Sequence, residues 1–294
     1  MVGLEDAGSW LSGPALAAAL VGTGLILGFL TGLFGVGGGF ILVPLLNVPL
    51  GIEYSLAKGV SLCSMVGTGV AGLVRHGRMG NVARKTMLII SGGAMCGAVL
   101  GGMVNDVLEQ GLCGGDQRAF TLIMHPLYIV LLIAAAWLVI RGRDDTDGER
   151  SPLQKLPLGP KIEIRLTGQR GVSLPGLCYL GVAVGFLTGL LGIGGGVLMM
   201  PLLCGVVGLG ARQAIGTSLG VVLLASMAGT VKYALNDQVS LVMSMCILIS
   251  STIGVQIGAW VCSVLHVGKI RRYFALLVIA VIVMVMVDFV GRLT

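Results

Sequence analysis

Charge is what this chain has least of. Asp, Glu, Lys and Arg make up 11% of its 294 residues, against about 25% in a typical soluble domain. With a mean hydropathy of +0.99, a soluble globular protein is excluded and an integral membrane protein is implied. Aromatic residues are also scarce, at 5%, and none interleave a basic stripe. The net charge of +6 therefore belongs to membrane loops and not to nucleic-acid binding. The seven cysteines (Cys63, Cys96, Cys113, Cys178, Cys204, Cys246, Cys262) form no CxxC and no Cys/His cluster. Thiols inside apolar segments pack as small hydrophobes, so neither a metal site nor a cofactor is expected. There is no HExxH, no paired aspartates within a span and no ATP-binding motif, so an enzyme is not expected. The apolar segments do not alternate, which excludes an outer-membrane barrel. The start is acidic (Glu5, Asp6), unlike a secretory signal, so the first apolar segment is expected to stay.

What is present is long apolar sequence, interrupted by glycine. No charged residue occurs between Asp6 and Glu53, a run of 46, or between Arg170 and Arg212, a run of 41. One spanning helix needs about 20 residues. Each run is two passes long, or one pass plus a re-entrant piece. The chain must break where lipid does not touch open backbone. "GLFGVGGGFILVPLL" (Gly32–Leu46) and "GLLGIGGGVLMMPLL" (Gly189–Leu203) mark the two breaks. Further spans are expected at Ala57–Val74, Met87–Val104, Leu122–Ile140, Gln213–Ala234, Leu241–Leu265 and Phe274–Val290.

Shifted by 157 residues, the chain overlays itself. Gly28–Leu46 matches Gly185–Leu203 at 13 of 19 positions. Ala57/Ala214, Gly59/Gly216, Ser61/Ser218, Gly72/Gly229, Arg75/Lys232, Gly97/Gly254 and Gly101/Gly258 extend the match. The expected fold is an all-α polytopic membrane protein of two homologous halves, with about 8–10 transmembrane or half-membrane helices. The organisation is an N-terminal repeat (1–140), a polar cytoplasmic linker (141–173) with little packed structure, and a C-terminal repeat (174–294). The loop with Arg75, Arg78, Arg84 and Lys85 is basic and should be cytoplasmic, and the loop with Asp106, Glu109 and Asp116 should face out. In the second half the bias is swapped, because the basic cluster is Lys269, Arg271 and Arg272. An inverted repeat with five crossings per half accounts for this. Four parallel crossings per half is the alternative.

The doubled motif G-x-x-x-G-x-x-G-[VI]-G-G-G-x-x-x-x-P-L-L, with small-residue repeats such as "STIGVQIGAWV" (Ser251–Val261), resembles the TauE/SafE sulfite-exporter-like proteins of the TSUP (4-toluene sulfonate uptake permease) group. The resemblance covers roughly Gly22–Val104 and Gly181–Val261. It implies a multi-pass protein of a bacterial-type inner membrane that moves a small sulfur-containing anion such as sulfite, sulfoacetate or another sulfonate.

The motif has its own physical meaning. Gly35, Gly37, Gly38 and Gly39 permit positive φ and close backbone approach. A short helix starts near Phe40, its first amides without intrahelical partners and at the positive end of the helix dipole. Pro44 leaves the Phe40 carbonyl unpaired. Gly192, Gly194, Gly195, Gly196 and Pro201 repeat the arrangement. Inverted halves would bring both breaks together as a bare-backbone nest for an anion. Thr31, Thr188, Ser61, Ser218 and Thr217 could complete the shell, and Lys58 could contact the substrate. Gly97, Gly101, Gly254 and Gly258 read as close helix packing instead. Arg75 and Lys232 are expected to snorkel, and His76 and His125 to lie at the interface. Gln256 fits a pore position or a helix–helix hydrogen bond equally. The function expected is a secondary transporter of a small anion working by alternating access. A scaffold or assembly factor, and an anion channel, are the rivals. The other partners are the lipid bilayer, a coupling ion (H+ or Na+) and a homo-oligomer, the last two left open.

Overall fold

The computed structural model describes residues 13–48, 50–112, 117–141, 161–164 and 169–293. Residues 1–12, including Glu5 and Asp6, and most of the linker lie outside them. Ten α-helices are described. The first half has α1 (Gly13–Phe34), α2 (Gly39–Asn47), α3 (Tyr54–Arg78), α4 (Arg84–Asp106) and α5 (Gln117–Arg141). The second has α6 (Leu174–Leu191), α7 (Gly196–Leu202), α8 (Ala211–Leu235), α9 (Leu241–Val264) and α10 (Val267–Leu293). A π-helical turn, Val107–Leu112, follows α4, and another, Leu203–Val207, follows α7. Eight helices are long and apolar enough to cross a membrane, so the protein is an all-α, multi-pass membrane protein. The two short ones are those after the glycine clusters. Nine residues of α2 rise about 14 Å, half the hydrocarbon thickness.

The linker was expected to carry little packed structure. Its described part is instead an antiparallel ribbon, β1 (Lys161–Ile164) against β2 (Gln169–Ser173). Val172 is buried. Ser173 ends the ribbon and caps α6, its Oγ accepting from the Gly176 amide at 3.3 Å. Pro175 fits the first turn because no amide is needed there.

Small residues let the long helices touch backbone to backbone. A methyl group at Gly28 would fall 2.0 Å from the Ser251 carbonyl oxygen, and one at Gly185 would fall 2.1 Å from that of Ala94. Adding 157 to one partner and subtracting it from the other turns the first contact into the second. Gly97 against Val182 and Phe186, and Gly254 against Leu25 and Phe29, are related in the same way. The expected close packing at these glycines is what the structure shows.

The same contacts give the direction of each helix. Gly24, Gly28 and Gly32 of α1 meet Ile247, Ser251 and Val255 of α9 in ascending order, so the two are parallel. Gly59 and Gly67 of α3 meet Gln238 and Leu248, so α3 also runs with α9. Gly93, Gly97 and Gly101 of α4 meet Cys178, Val182 and Phe186, so α4 runs with α6. Gly216 and Gly220 of α8 face Asn81 and Met87 on the approach to and first turn of α4, so α8 runs with α4. Gly69 and Gly72 face Leu223 and Leu219 in descending order, so α3 and α8 are antiparallel. Helices α1, α3 and α9 therefore point one way, and α4, α6 and α8 the other. Because α1 and α3 are parallel, α2 and the segment up to Glu53 must carry the chain back. The basic turns after α3 and after α9 lie at one end of the bundle. Asp106, Glu109 and the end of α8 lie at the other.

Candidate functional site

Every residue from Thr31 to Pro44 and from Thr188 to Pro201 is buried. Each long helix stops at its glycine cluster for a conformational reason. Gly38 and Gly195, the residues before α2 and α7, have φ of 76° and 61°, which side-chain-bearing residues resist. Gly35, Gly37, Gly192 and Gly194 share the positive φ. The two breaks face each other. A methyl group on Gly196 would stand 1.9 Å from the Val36 carbonyl oxygen, and one on Gly39 would stand 3.0 Å from the Ile193 carbonyl carbon. These are again counterparts 157 residues apart.

The hydroxyls divide into three groups. Ser218 Oγ donates to the Gly35 carbonyl at 2.6 Å, and Ser61 Oγ donates to the Gly192 carbonyl at 3.1 Å. Each serine thus ties one half to the break of the other. Thr188 Oγ1 donates to the Val184 carbonyl at 2.9 Å beside Gly195. Thr31 Oγ1 sits beside Gly38, is 1% exposed and has no partner. Thr217 is placed elsewhere, its Oγ1 accepting from the Ala83 amide at 3.0 Å. Among the described residues, none accepts from the amides of Val36, Gly37 and Gly38, or from those of Ile193, Gly194 and Gly195. A buried donor without an acceptor costs about 1–3 kcal/mol.

Residues outside the motif complete the site. Met65 and its counterpart Val222 lie between the breaks. A methyl group on Gly194 would fall 2.2 Å from Met65 Sδ, and one on Gly37 would fall 2.6 Å from Val222 Cγ1. Ser226 Oγ donates to Met65 Sδ at 3.6 Å. Pro44 and Pro201 lie inside their short helices. The Phe40 carbonyl that Pro44 deprives of an amide is taken by the Tyr128 hydroxyl of α5. A cavity lined by Pro44, Asn47, Tyr54, His125, Tyr128 and Val285 adjoins this bend.

Lys58 is fully buried at the second break, with its side chain against Gly192. Its ammonium donates to Asn105 Oδ1 and lies 4.7 Å from the Phe120 ring centroid and 5.0 Å from that of Tyr54. Such a charge is tolerable inside a membrane protein only when its environment replaces water.

Three expectations are corrected by burial. His76 is buried and its Nε2 lies 3.0 Å from the Gly32 carbonyl, just as the Tyr233 hydroxyl donates to Gly189 at 2.9 Å. His125 is buried between Tyr54 and Phe289. Lys232 does not simply snorkel but pairs with Asp106. Gln256 points outward from α9, where it can serve neither as a pore residue nor within the bundle.

Two glycine-broken helices meet inside a bundle of apolar spans, and the family and relatives of this chain make it a multi-pass membrane transporter. The chain belongs to the family described as Sulfite exporter TauE/SafE, whose model matches residues 20–285. A probable membrane transporter protein of Xylella fastidiosa (strain Temecula1) is 28% identical over 90% of this chain and 93% of its own length. One of Methanocaldococcus jannaschii is 25% identical over 83% and 86%, and YunE of Bacillus subtilis, also a probable membrane transporter protein, is 24% identical over 82% and 86%. No solved structure gives a significant match.

Proposed function

We propose that this transporter is a secondary carrier for a small sulfur-containing anion, held where the two breaks meet. The observation that carries the reading is the set of buried, unpartnered amides at Val36–Gly38 and Ile193–Gly195. Peptide N–H groups in a positive-φ turn at a helix start form an anion-binding concavity. They avoid the cost of a fixed cation at the bilayer centre, put at about 3 to above 10 kcal/mol. Thr31, whose Oγ1 has no partner, adds a donor beside Gly38. Met65 and Val222 occupy the space between, and a flexible thioether can swing aside for a ligand.

The chain directions support an inverted repeat. Each of α1, α3 and α4 runs opposite to its counterpart 157 residues on, and both basic turns lie at one end. Rocking of the halves about a shared central site is the motion such a relation permits. Ser61 and Ser218, each donating to the opposite half's break, would carry that movement to the site.

Uptake of labelled sulfite, sulfoacetate and 2-hydroxyethanesulfonate into proteoliposomes tests the reading. Flux above empty vesicles is expected for at least one. No flux of any would favour a scaffold role, and normal flux in both Gly38→Leu and Gly195→Leu would remove the nest.

A further inference from the structure

Away from the breaks, a cleft opens at the turn between α3 and α4. These helices are consecutive, yet each packs along α8 and not along the other. The space between them has α8 as its floor. Gly220 lies there, and a methyl group on it would fall 2.1 Å from Met87 Sδ and 3.3 Å from Leu73 Cδ1. The cleft measures about 540 Å³, within the usual range of small-molecule sites. Its outer walls include Val74 and Leu88, which are 49% and 60% exposed. Arg78, the last residue of α3, stands on one lip, and Arg84, the first of α4, stands on the other. Both are exposed, and among the described residues neither guanidinium has a hydrogen bond or an ion pair. No acidic side chain lines the cleft. Lys85 adds a positive charge beside Arg84, and α4 begins here with the positive end of its dipole.

Shape and charge together select the occupant. Apolar walls at the flank of a membrane bundle take hydrocarbon. A guanidinium on each lip takes a phosphate, which its planar fork can hold through two hydrogen bonds. A free phosphate would leave the walls uncovered, and a zwitterionic headgroup would bring its own cation to the arginines. We propose that this cleft binds one anionic phospholipid of the cytoplasmic leaflet, its phosphate between Arg78 and Arg84 and an acyl chain running past Val74 and Leu88 over the Gly220 floor. The bound lipid would fill the gap that α3 and α4 leave between themselves. The site does not depend on which anion the carrier moves.

The second half supplies an internal comparison. The positions 157 residues on from Arg78 and Arg84 hold Leu235, the last residue of α8, and Leu241, the first of α9. They are 80% and 65% exposed. The counterpart of Gly220 is Cys63. The fold by itself therefore requires neither the two arginines nor a floor without a side chain. The positive-inside tendency accounts for basic residues in a cytoplasmic turn. It does not require that two of them flank one apolar cleft and stay without partners.

The test uses the full chain in detergent, titrated with dioleoyl phosphatidylglycerol or with dioleoyl phosphatidylcholine, and native mass spectrometry counts the lipids retained. The wild type should hold one phosphatidylglycerol at least about tenfold more tightly than phosphatidylcholine. An Arg78→Leu/Arg84→Leu double variant should lose that preference. A Lys269→Leu/Arg272→Leu double variant removes equal charge from the same end of the bundle and should keep it. Inorganic phosphate at constant ionic strength should not displace the lipid. Equal retention of the two lipids by the wild type overturns the inference. So does an undiminished preference in the first double variant, an equal loss in the second, or displacement by phosphate, which would make this a site for soluble anions. A phosphatidylglycerol with a photoreactive acyl chain decides the matter on the wild type if the first double variant does not fold. Labelling within residues 70–92 is expected, and labelling only elsewhere overturns the site.

Discussion

The Tyr128 hydroxyl donates to the Phe40 carbonyl, 88 residues away in sequence. Pro44 creates the need for this bond, since residue 44 would otherwise supply the amide. Tyr128→Phe should strand a buried acceptor and lower stability by about 1–3 kcal/mol. In a Pro44→Ala background the amide returns, and the same change should cost much less. Thermal melts of the four proteins in detergent read the difference, and equal losses in both backgrounds would separate Tyr128 from the proline.

Gly195 should be more sensitive than its size suggests. Its φ is 61°, and a methyl group there would stand 2.4 Å from Thr188 Oγ1. A side chain in the left-handed region costs about 1–2 kcal/mol before any clash. Gly195→Ala is expected to cut anion flux at least tenfold while membrane insertion is retained. The same flux per molecule as wild type would show that the backbone at the break does not have to hold this shape.

Glycines of α4 should divide by what they face. A methyl group at Gly97 would fall 2.2 Å from the Val182 carbonyl oxygen, whereas one at Gly92 would meet nothing within 4 Å. Gly97→Leu should force α4 from α6, destabilising by about 3 kcal/mol or preventing folding. Gly92→Leu should stay within about 0.5 kcal/mol of wild type. Size-exclusion profiles and melting temperatures compare the pair.

Labelling can check the arrangement of the two ends. In a cysteine-free background, thiols placed at Arg78 and Lys269 should react with an impermeant reagent from the cytoplasmic side. A thiol at Asp237 should react from the other. All three positions are exposed. Arg78 and Lys269 reacting from opposite faces would contradict both the helix directions and the positive-inside assignment.

The features readable in the sequence are those with a local cause. Consecutive glycines forced the breaks at 35–38 and 192–195, and the charge-free runs located α1 and α6 because burying charge in lipid is costly. Pro44 announced an orphan carbonyl. Its partner was not readable, because Tyr128 reaches it through packing of α5, and the counterpart of Tyr128 is Val285, which carries no hydroxyl. His76 and His125 lie near span ends, and nothing local distinguishes a buried ring from an interfacial one. Thr217 looked like a shell hydroxyl next to Ser218, but adjacent residues on a helix point about 100° apart, and it bonds the Ala83 amide instead. The Lys58–Asn105 bond depends on where α3 meets the end of α4, which no spacing in the sequence specifies.

Lys58 and Ile215 occupy matching places in the two halves. Had the same half been used twice, as a pair of identical subunits, whatever stood at one mouth would stand at the other. Joining both halves in one polypeptide frees each position to mutate alone, so the molecule can tell outside from inside by its own composition and not only by the gradient imposed on it.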